Sequence, residues 1–234
     1  MARRGALARI FLRQLTYGGN DGIVTTFAIV AGFAGAEAQG TAGIASVAVL
    51  VFGVANLIAD AASMGLGEFL SDRSTRALYR DRTAKLRDEG PAVAERELVA
   101  TLTAQGLDTE TAQRAAAAIA TDPHLAADVT LRYSAEAEAP GAARPLLRGT
   151  VTFSSFVVFG LIPIIPFFVA PDHPSTFMVS AVATLAALTL LGALRWRTTH
   201  EHALRAIGET VILGGFCAAL AYGAGNVMAG FGGG

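Results

Sequence analysis

The chain has 234 residues, of which 53% are hydrophobic and 16% are charged, and its formal net charge is −1. The apolar residues are gathered in long blocks, which is typical of a polytopic membrane protein and not of a soluble domain. A net charge so close to zero gives no support for binding to nucleic acid. The single Cys217 excludes an intramolecular disulfide.

The apolar blocks predict an all-α, polytopic membrane protein with five transmembrane helices. A hydrocarbon core of about 30 Å needs roughly 20 helical residues. The segments that reach this length are 17–36, 42–70, 149–170, 175–194 and 207–230. Pro163 and Pro166 predict a kink in the third segment, because each removes a helical hydrogen bond.

The positions of Lys and Arg predict how the chain is oriented in the membrane. Basic residues lie before the first span, in the long connection between Arg73 and Arg148, and around the fourth connection, whereas the connections near 37–41 and 171–174 contain none. The positive-inside rule then places the N-terminus in the cytoplasm and the C-terminus outside. An Arg-rich start could also belong to a signal peptide, but Asp21 and its neighbouring glycines suit a packed helix better.

The connection between the second and third spans predicts a small cytoplasmic helical domain. Its composition is polar and Ala-rich, and Gly90-Pro91, Gly106 and Asp122-Pro123 separate predicted helices at about 92–105, 109–120 and 123–135. We therefore predict three regions, namely transmembrane helices 1–2 in 1–71, the cytoplasmic domain in 72–146, and transmembrane helices 3–5 in 147–234. The small chain, rich in Ala and Arg, favours a bacterial plasma membrane.

Polar residues inside the first two spans predict a cation path. A charged side chain near the bilayer centre costs roughly 2.5–3.5 kcal/mol, so a carboxylate that persists there usually has a functional partner. Asn56, Asp60, Met64 and Glu68 recur every four residues and form one slowly turning stripe on a helix. Asp21 could supply a carboxylate opposite this stripe.

The donor atoms of this stripe indicate which ions it suits. Carboxylate and amide oxygens together with a thioether sulfur favour a first-row transition ion over Mg²⁺ or Ca²⁺. Because ligation needs the deprotonated carboxylate, exchange of metal against protons is the matching hypothesis.

Several of these residues also have structural interpretations. Met64 could simply fill a gap between helices. Glu68 could pair with Arg73 or Arg76 at the water boundary, and Glu209 is predicted to be a boundary carboxylate or a helix N-terminal charge. The histidines lie in connections, and neither a zinc-spaced motif nor a phosphate loop is present, so we predict neither an enzyme nor a tightly bound cofactor.

Three segments of the sequence resemble the vacuolar iron transporter family. They are the run NDGIVTTFAIVAGFAGA at 20–36, the run from Ala55 to Ser71, and Thr152-Phe153-Ser154-Ser155-Phe156 with Gly160, Pro163 and Pro166. The resemblance implies a homodimer of five-helix protomers that moves Fe²⁺, often also Mn²⁺, out of the cytoplasm in exchange for protons. Asp21 and Met64 match translocation residues of the family.

Compared with the family that it resembles, this sequence has a depleted cytoplasmic metal-binding domain, as in a bacterial-type member. The family gathers metal on a cluster of Glu and Met. Glu89, Glu95 and Glu97 fall where its glutamates are expected, but Thr130-Leu131 stands where a Met pair would lie and Ser134 where another Glu would. A weaker transporter, another loading route and an altered substrate are the three hypotheses that follow.

A hypothesis from another class competes with transport. In it the chain is a non-transporting membrane scaffold or regulator, whose insertion binds a partner and whose buried carboxylates only form hydrogen bonds between helices. Loss of metal flux after Asp21→Asn would favour the transporter. The expected partners of a transporter are divalent transition-metal ions, protons, the lipid bilayer and a second copy of the chain.

Overall fold

The structure is a computed structural model, and it describes residues 2–38, 45–134, 141, 143–171, 173–199 and 202–232. These residues form α-helices joined by turns, without a strand among them, so the all-α prediction is confirmed. In chain order the helices are α1 (Ala2–Glu37), α2 (Ala45–Asp88), α3 (Pro91–Ala104), α4 (Thr109–Ile119), α5 (Pro123–Tyr133), α6 (Pro145–Gly160), α7 (Ile165–Val169), α8 (Thr176–Thr199) and α9 (Ala203–Gly232).

Within the described part of the chain, three helices are long and apolar enough to cross a membrane. They lie at Ser46–Asp88, Thr176–Arg197 and Ala203–Phe231. The predicted first span falls inside α1, and the predicted third span is divided between α6 and α7. The membrane character of the chain is thus supported, while the number of five spans stays a prediction.

The predicted kink in the third span is a complete interruption of the helix. α6 ends at Gly160, and α7 begins at Ile165 after a turn that contains Pro163. The interruption leaves carbonyl groups without helical partners, and in an apolar setting each must find another donor. The buried Ser180 hydroxyl on α8 donates to the Pro163 carbonyl at 2.7 Å, which fixes the turn against α8.

The chain divides into two compact units. The first, which we call the membrane unit, consists of Met1–Glu68 and Leu146–Gly234, and the second, the insertion unit, consists of Phe69–Pro145. Helix α2 passes beyond residue 70, where the predicted second span ends, and continues to Asp88. It continues because the first Gly and Pro after that point are Gly90 and Pro91, and because the region contains good helix formers.

Glycines bring the helices of the membrane unit into backbone contact. A Cβ atom at Gly22 on α1 would lie 2.4 Å from the Phe156 carbonyl oxygen on α6. A Cβ atom at Gly225 on α9 would lie 1.9 Å from the carbonyl oxygen of Gly32 on α1. Helix α1 therefore packs directly against both α6 and α9, as small residues permit in lipid.

The insertion unit is a small helical bundle whose helix ends follow the sequence signals. Helices α3, α4 and α5 begin and end within two residues of their predicted limits. Asp108 caps α4 by accepting a hydrogen bond from the Thr111 N–H at 3.0 Å, and hydrogen bonds from Thr111 hold the pKa of this carboxyl below its usual range. Tyr79 and Leu86 of α2 pack with Ala127 and Leu131 of α5, which anchors the extended end of α2.

Candidate functional site

The polar stripe of α2 lies at the border between the buried and the exposed side of that helix. All four of its residues, Asn56, Asp60, Met64 and Glu68, are half-buried. The residues that follow the first three members of the stripe, Leu57, Ala61 and Gly65, are buried. The residues that precede the four members, Ala55, Ala59, Ser63 and Gly67, are exposed. The stripe therefore belongs partly to the interior of the membrane unit and partly to its uncovered surface.

The two aspartates of the path are brought near each other from different helices. Asp21 on α1 and Asp60 on α2 are both half-buried, and the charge of Asp60 acts on the Asp21 carboxylate. Asn56 Nδ2 donates a hydrogen bond of 2.6 Å to Asp60 Oδ2. This bond orients the Asp60 carboxylate within the stripe, one helical turn from the amide that holds it.

Met64 lies beside the apolar interface between α2 and α6. It is partly buried and packs against the cluster formed by Leu57, Ala61, Phe156 and Ile164. This contact agrees with the packing interpretation of the residue. Met64 is only half-buried and lies one turn from Asp60. Its sulfur therefore still belongs to the polar stripe, although the side chain packs against this cluster.

Glu68 ends the stripe about 12 Å along the helix from Asp60, since each residue adds about 1.5 Å. Its Oε1 accepts a 2.7 Å hydrogen bond from Gln14 Nε2 and lies 3.8 Å from Arg148 Nε. The expected partners were Arg73 or Arg76. Arg76 instead forms an ion pair with Asp72 at 3.1 Å, one turn earlier on its own helix.

Gln14 and Arg148 are the residues of this site that the sequence did not reveal. Gln14 is 1% exposed, and Arg148 lies in the first turn of α6. One signal was available for Gln14, because it precedes Asp21 by seven residues and so shares its helical face. For Arg148 no local signal exists, since its distance from Glu68 depends on how α6 packs beside α2.

The glutamates proposed for the insertion unit do not form a cluster. Glu95 is half-buried and Glu97 is exposed, and two residues of α3 point about 200° apart around the helix. Glu89 is exposed and lies 3.9 Å from Lys85. Thr130 and Leu131, at the positions of the expected Met pair, are each 2% exposed and belong to the interior of the unit.

Glu209 is a charge at the end of the membrane unit and not part of the stripe. It lies on α9, 3.1 Å from Arg195 and 2.9 Å from Arg205. This arrangement agrees with the expected boundary carboxylate, because both arginines lie at helix ends.

The donor set available in one protomer is small. Within the described residues, no three side chains of the types His, Cys, Asp and Glu are grouped closely enough to hold a metal ion. The path contributes two neighbouring carboxylates, one amide and one thioether. Such a set can bind a divalent transition ion weakly and release it again, which suits passage better than storage.

Comparison with known proteins agrees with the sequence motifs. A sequence model of the VIT family matches residues 12–226. Vacuolar iron transporter 1 of Arabidopsis thaliana is 30% identical over 214 residues, which cover 90% of this chain and 83% of that protein. Vacuolar iron transporter 2 of Oryza sativa subsp. japonica is 28% identical over 215 residues, covering 91% and 85% respectively. The vacuolar iron transporter of Toxoplasma gondii is 28% identical over 243 residues, covering 93% and 74%.

Proposed function

Because this chain belongs to the VIT family, we propose that it is a membrane transporter that moves Fe²⁺, Mn²⁺ or both out of the cytoplasm in exchange for protons. The relatives described above are iron transporters by name. The observation that carries the proposal is the pair Asp21 and Asp60, brought together from two helices inside the membrane unit. Carboxylates in such a place are costly unless they serve a cation.

Asp21, Asp60 and Met64 form the central binding step of this path. The two carboxylates supply charge, and Asn56 supports Asp60 through its 2.6 Å hydrogen bond. The Met64 sulfur favours a softer ion, so Fe²⁺ and Mn²⁺ fit the donor set better than Mg²⁺ or Ca²⁺.

Proton exchange follows from the repulsion between the two carboxylates. When no metal is bound, a proton held at Asp21 relieves its repulsion with the Asp60 charge. An arriving divalent cation needs both groups ionised, so its binding expels that proton. Release of the cation on the other side allows a proton to return, which couples the two fluxes in opposite directions.

Glu68 is the cytoplasmic end of the path in this proposal. The basic residues near the N-terminus favour a cytoplasmic position for this end of α1 and α2. The ion pair with Arg148 and the hydrogen bond from Gln14 hold Glu68 between a guanidinium group and a neutral amide, and an incoming metal ion competes with Arg148 for the carboxylate. Glu89, Glu95 and Glu97 contribute at most a weak attraction for metal before this step.

The assembly we propose is a homodimer of five-span protomers. The exposed residues beside the stripe, Ala55, Ala59, Ser63 and Gly67, are all small, and nothing lies within 4 Å of a Cβ atom placed at Gly67. Small residues at this spacing allow two helices to approach closely in lipid. A second copy of α2 on this face would add its own Asp60 and Met64, which enlarges the small donor set of one protomer.

The proposed topology rests on the sequence pattern of apolar segments and basic residues. Residues 72–146 form the cytoplasmic domain between transmembrane helices 1–2 and 3–5, the C-terminus lies outside, and a bacterial plasma membrane is the proposed location. The interrupted third span, α6 with α7, crosses the bilayer as one unit because the Ser180 hydroxyl satisfies the Pro163 carbonyl freed at the break.

Uptake of Fe²⁺ and Mn²⁺ by proteoliposomes under an imposed pH gradient tests the function. We expect gradient-dependent flux in the wild type and its loss in Asp21→Asn. Asp81→Asn is the matched control, because Asp81 lies on α2 but is exposed in the insertion unit. Unchanged flux in Asp21→Asn would refute the path, and absence of flux from folded wild-type protein would favour the scaffold hypothesis.

A further inference from the structure

A pocket of about 340 Å³ lies between α1, α8 and α9, away from the stripe of α2. Its polar lining comes from all three helices and consists of Arg13, Thr16, Tyr17, Asn20, Arg195 and Thr210. All of these residues belong to the membrane unit. Since α2 contributes nothing to its lining, the pocket is separate from the proposed metal path.

The pocket lies where the apolar spans meet the headgroup region of a bilayer. Arg13 precedes the first predicted span, and Arg195 directly follows the fourth. Tyr17 in the pocket is 65% exposed, and Trp196 beside it in sequence is 41% exposed. Exposed Tyr and Trp at the ends of apolar helices are typical of the membrane interface, where one part of the ring is in contact with water.

The charge around the pocket is positive. Arg195 and Arg205 both pair with Glu209, at 3.1 Å and 2.9 Å, so one carboxylate faces two guanidinium groups. Together with the exposed Arg13, these groups sum to +2. An anion in the pocket would therefore be attracted by a field that Glu209 only partly compensates.

Two of the residues that line the pocket contain polar atoms that lack partners among the described residues. The hydroxyl oxygen of Thr16 and the amide oxygen of Asn20 are buried without a hydrogen-bond partner. Both residues line the pocket, so a ligand that donates and accepts hydrogen bonds would lie beside them. A phosphate diester that carries a hydroxylated headgroup has both kinds of group.

We propose that this pocket binds the headgroup of an anionic phospholipid, with the phosphate on Arg13 and Arg195 and the headgroup hydroxyls beside Asn20 and Thr16. The exposed apolar side of α9 below the pocket, which includes Leu213, accommodates the acyl chains. Basic pockets between transmembrane helices on the cytoplasmic side are suited to such lipids. Bound there, the lipid links α1 to α8 and α9 at the end of the bundle where all three meet.

Trp196 makes the proposal measurable, because it is the single tryptophan of the chain and directly follows Arg195. The full-length protein is reconstituted with phosphatidylcholine and increasing fractions of brominated phosphatidylglycerol or brominated phosphatidylcholine, and quenching of Trp196 gives their relative association constants. We expect phosphatidylglycerol to be preferred on the order of fivefold, the effect of one arginine near an anionic lipid.

Arg13→Gln and Arg195→Gln should each reduce this preference to near parity. Arg197→Gln is the matched control, because Arg197 lies on the same helix end but does not line the pocket. Arg13→Gln keeps the test valid if the loss of the Arg195 ion pair disturbs folding.

Three results would overturn the proposal. One is equal quenching by both lipids in the wild type, and another is an equal effect of all three substitutions, which would indicate general surface attraction. The third is abolition of the preference by inorganic phosphate at constant ionic strength, which would indicate a site for a soluble anion. A preference that persists in phosphate and disappears in Arg13→Gln supports the lipid site.

Discussion

Acidic residues are arranged differently in the membrane unit and in the insertion unit. In the membrane unit, Asp21 and Asp60 come together from two helices, and Glu68 is held by Gln14 and Arg148. In the insertion unit, Glu95 and Glu97 point away from each other, and the interior is filled by residues such as Leu131. The difference fits the proposed cation path, in which the insertion unit contributes little to the loading of metal.

The physical reason lies in the different cost of polar groups in the two settings. A carboxylate in an apolar span is expensive, so Asp21 and Asp60 persist only with a compensating function. A surface glutamate such as Glu97 costs little and contributes little, so its loss or displacement changes stability only slightly.

The largest expected effect comes from Asp60→Asn. The substitution keeps the size of the side chain but removes a charge, so metal flux in proteoliposomes should fall by at least about tenfold, which corresponds to about 1.4 kcal/mol. Glu97→Gln, the same change in the insertion unit, should leave flux within about twofold. Equal effects of the two substitutions would contradict the contrast between the units.

Glycine substitutions should separate packing within a protomer from packing between copies. Gly225→Ala places a Cβ atom 1.9 Å from the Gly32 carbonyl oxygen and should reduce the yield of folded protein and its thermal midpoint. Gly67→Ala meets nothing within 4 Å and should leave the protomer folded. Size-exclusion chromatography coupled to light scattering should then show a weaker dimer for Gly67→Ala, and an unchanged dimer would argue against this face as the interface.

A smaller effect is expected when the ion pair at the end of the path is removed. Arg148→Gln frees Glu68 from a guanidinium 3.8 Å away, so the metal concentration that gives half-maximal flux should decrease a few-fold, on the scale of one partly buried ion pair. Arg144→Gln is the control, because Arg144 is exposed and belongs to the insertion unit. An increase in that concentration would mean that Arg148 supports Glu68 in binding and does not compete with the metal.

The smallest effect is expected in the insertion unit. Glu95→Gln combined with Glu97→Gln should weaken metal binding to the full-length protein by on the order of threefold, as measured by calorimetric titration, and leave the membrane unit assembled. No change would mean that the insertion is structural, and a loss of more than tenfold would mean that it still gathers metal.

Most helices could be predicted because their signals are local. Proline and glycine breaks placed α3, α4 and α5 within two residues, and Pro163 with Pro166 marked the interruption between α6 and α7. The end of α2 could not be placed in the same way. The charged segment that follows the apolar span can be helical in lipid or in water, so its composition does not mark where the helix ends. Tyr79 and Leu86 stabilise this segment through contacts with α5.

The candidate site likewise contains features that the local sequence could predict and contacts that it could not. The four-residue period of Asn56, Asp60, Met64 and Glu68 lies on one helix, so the sequence alone determined that these residues share a face. The partners of Glu68 could not be predicted, because nearby arginines in sequence were the obvious candidates. Arg148 and Gln14 reach it only after α6 and α1 pack beside α2.

The sequence by itself determined the helical class, the apolar segments, the polar stripe and the membership motifs, because periodicity and composition are properties of contiguous residues. Tertiary structure alone decided that the charge of Asp60 acts on Asp21, that Arg148 takes the place expected for Arg73 or Arg76, and that α1, α8 and α9 enclose a basic pocket. These are distances between helices that are far apart in the chain, and backbone contacts at glycines such as Gly22 set them.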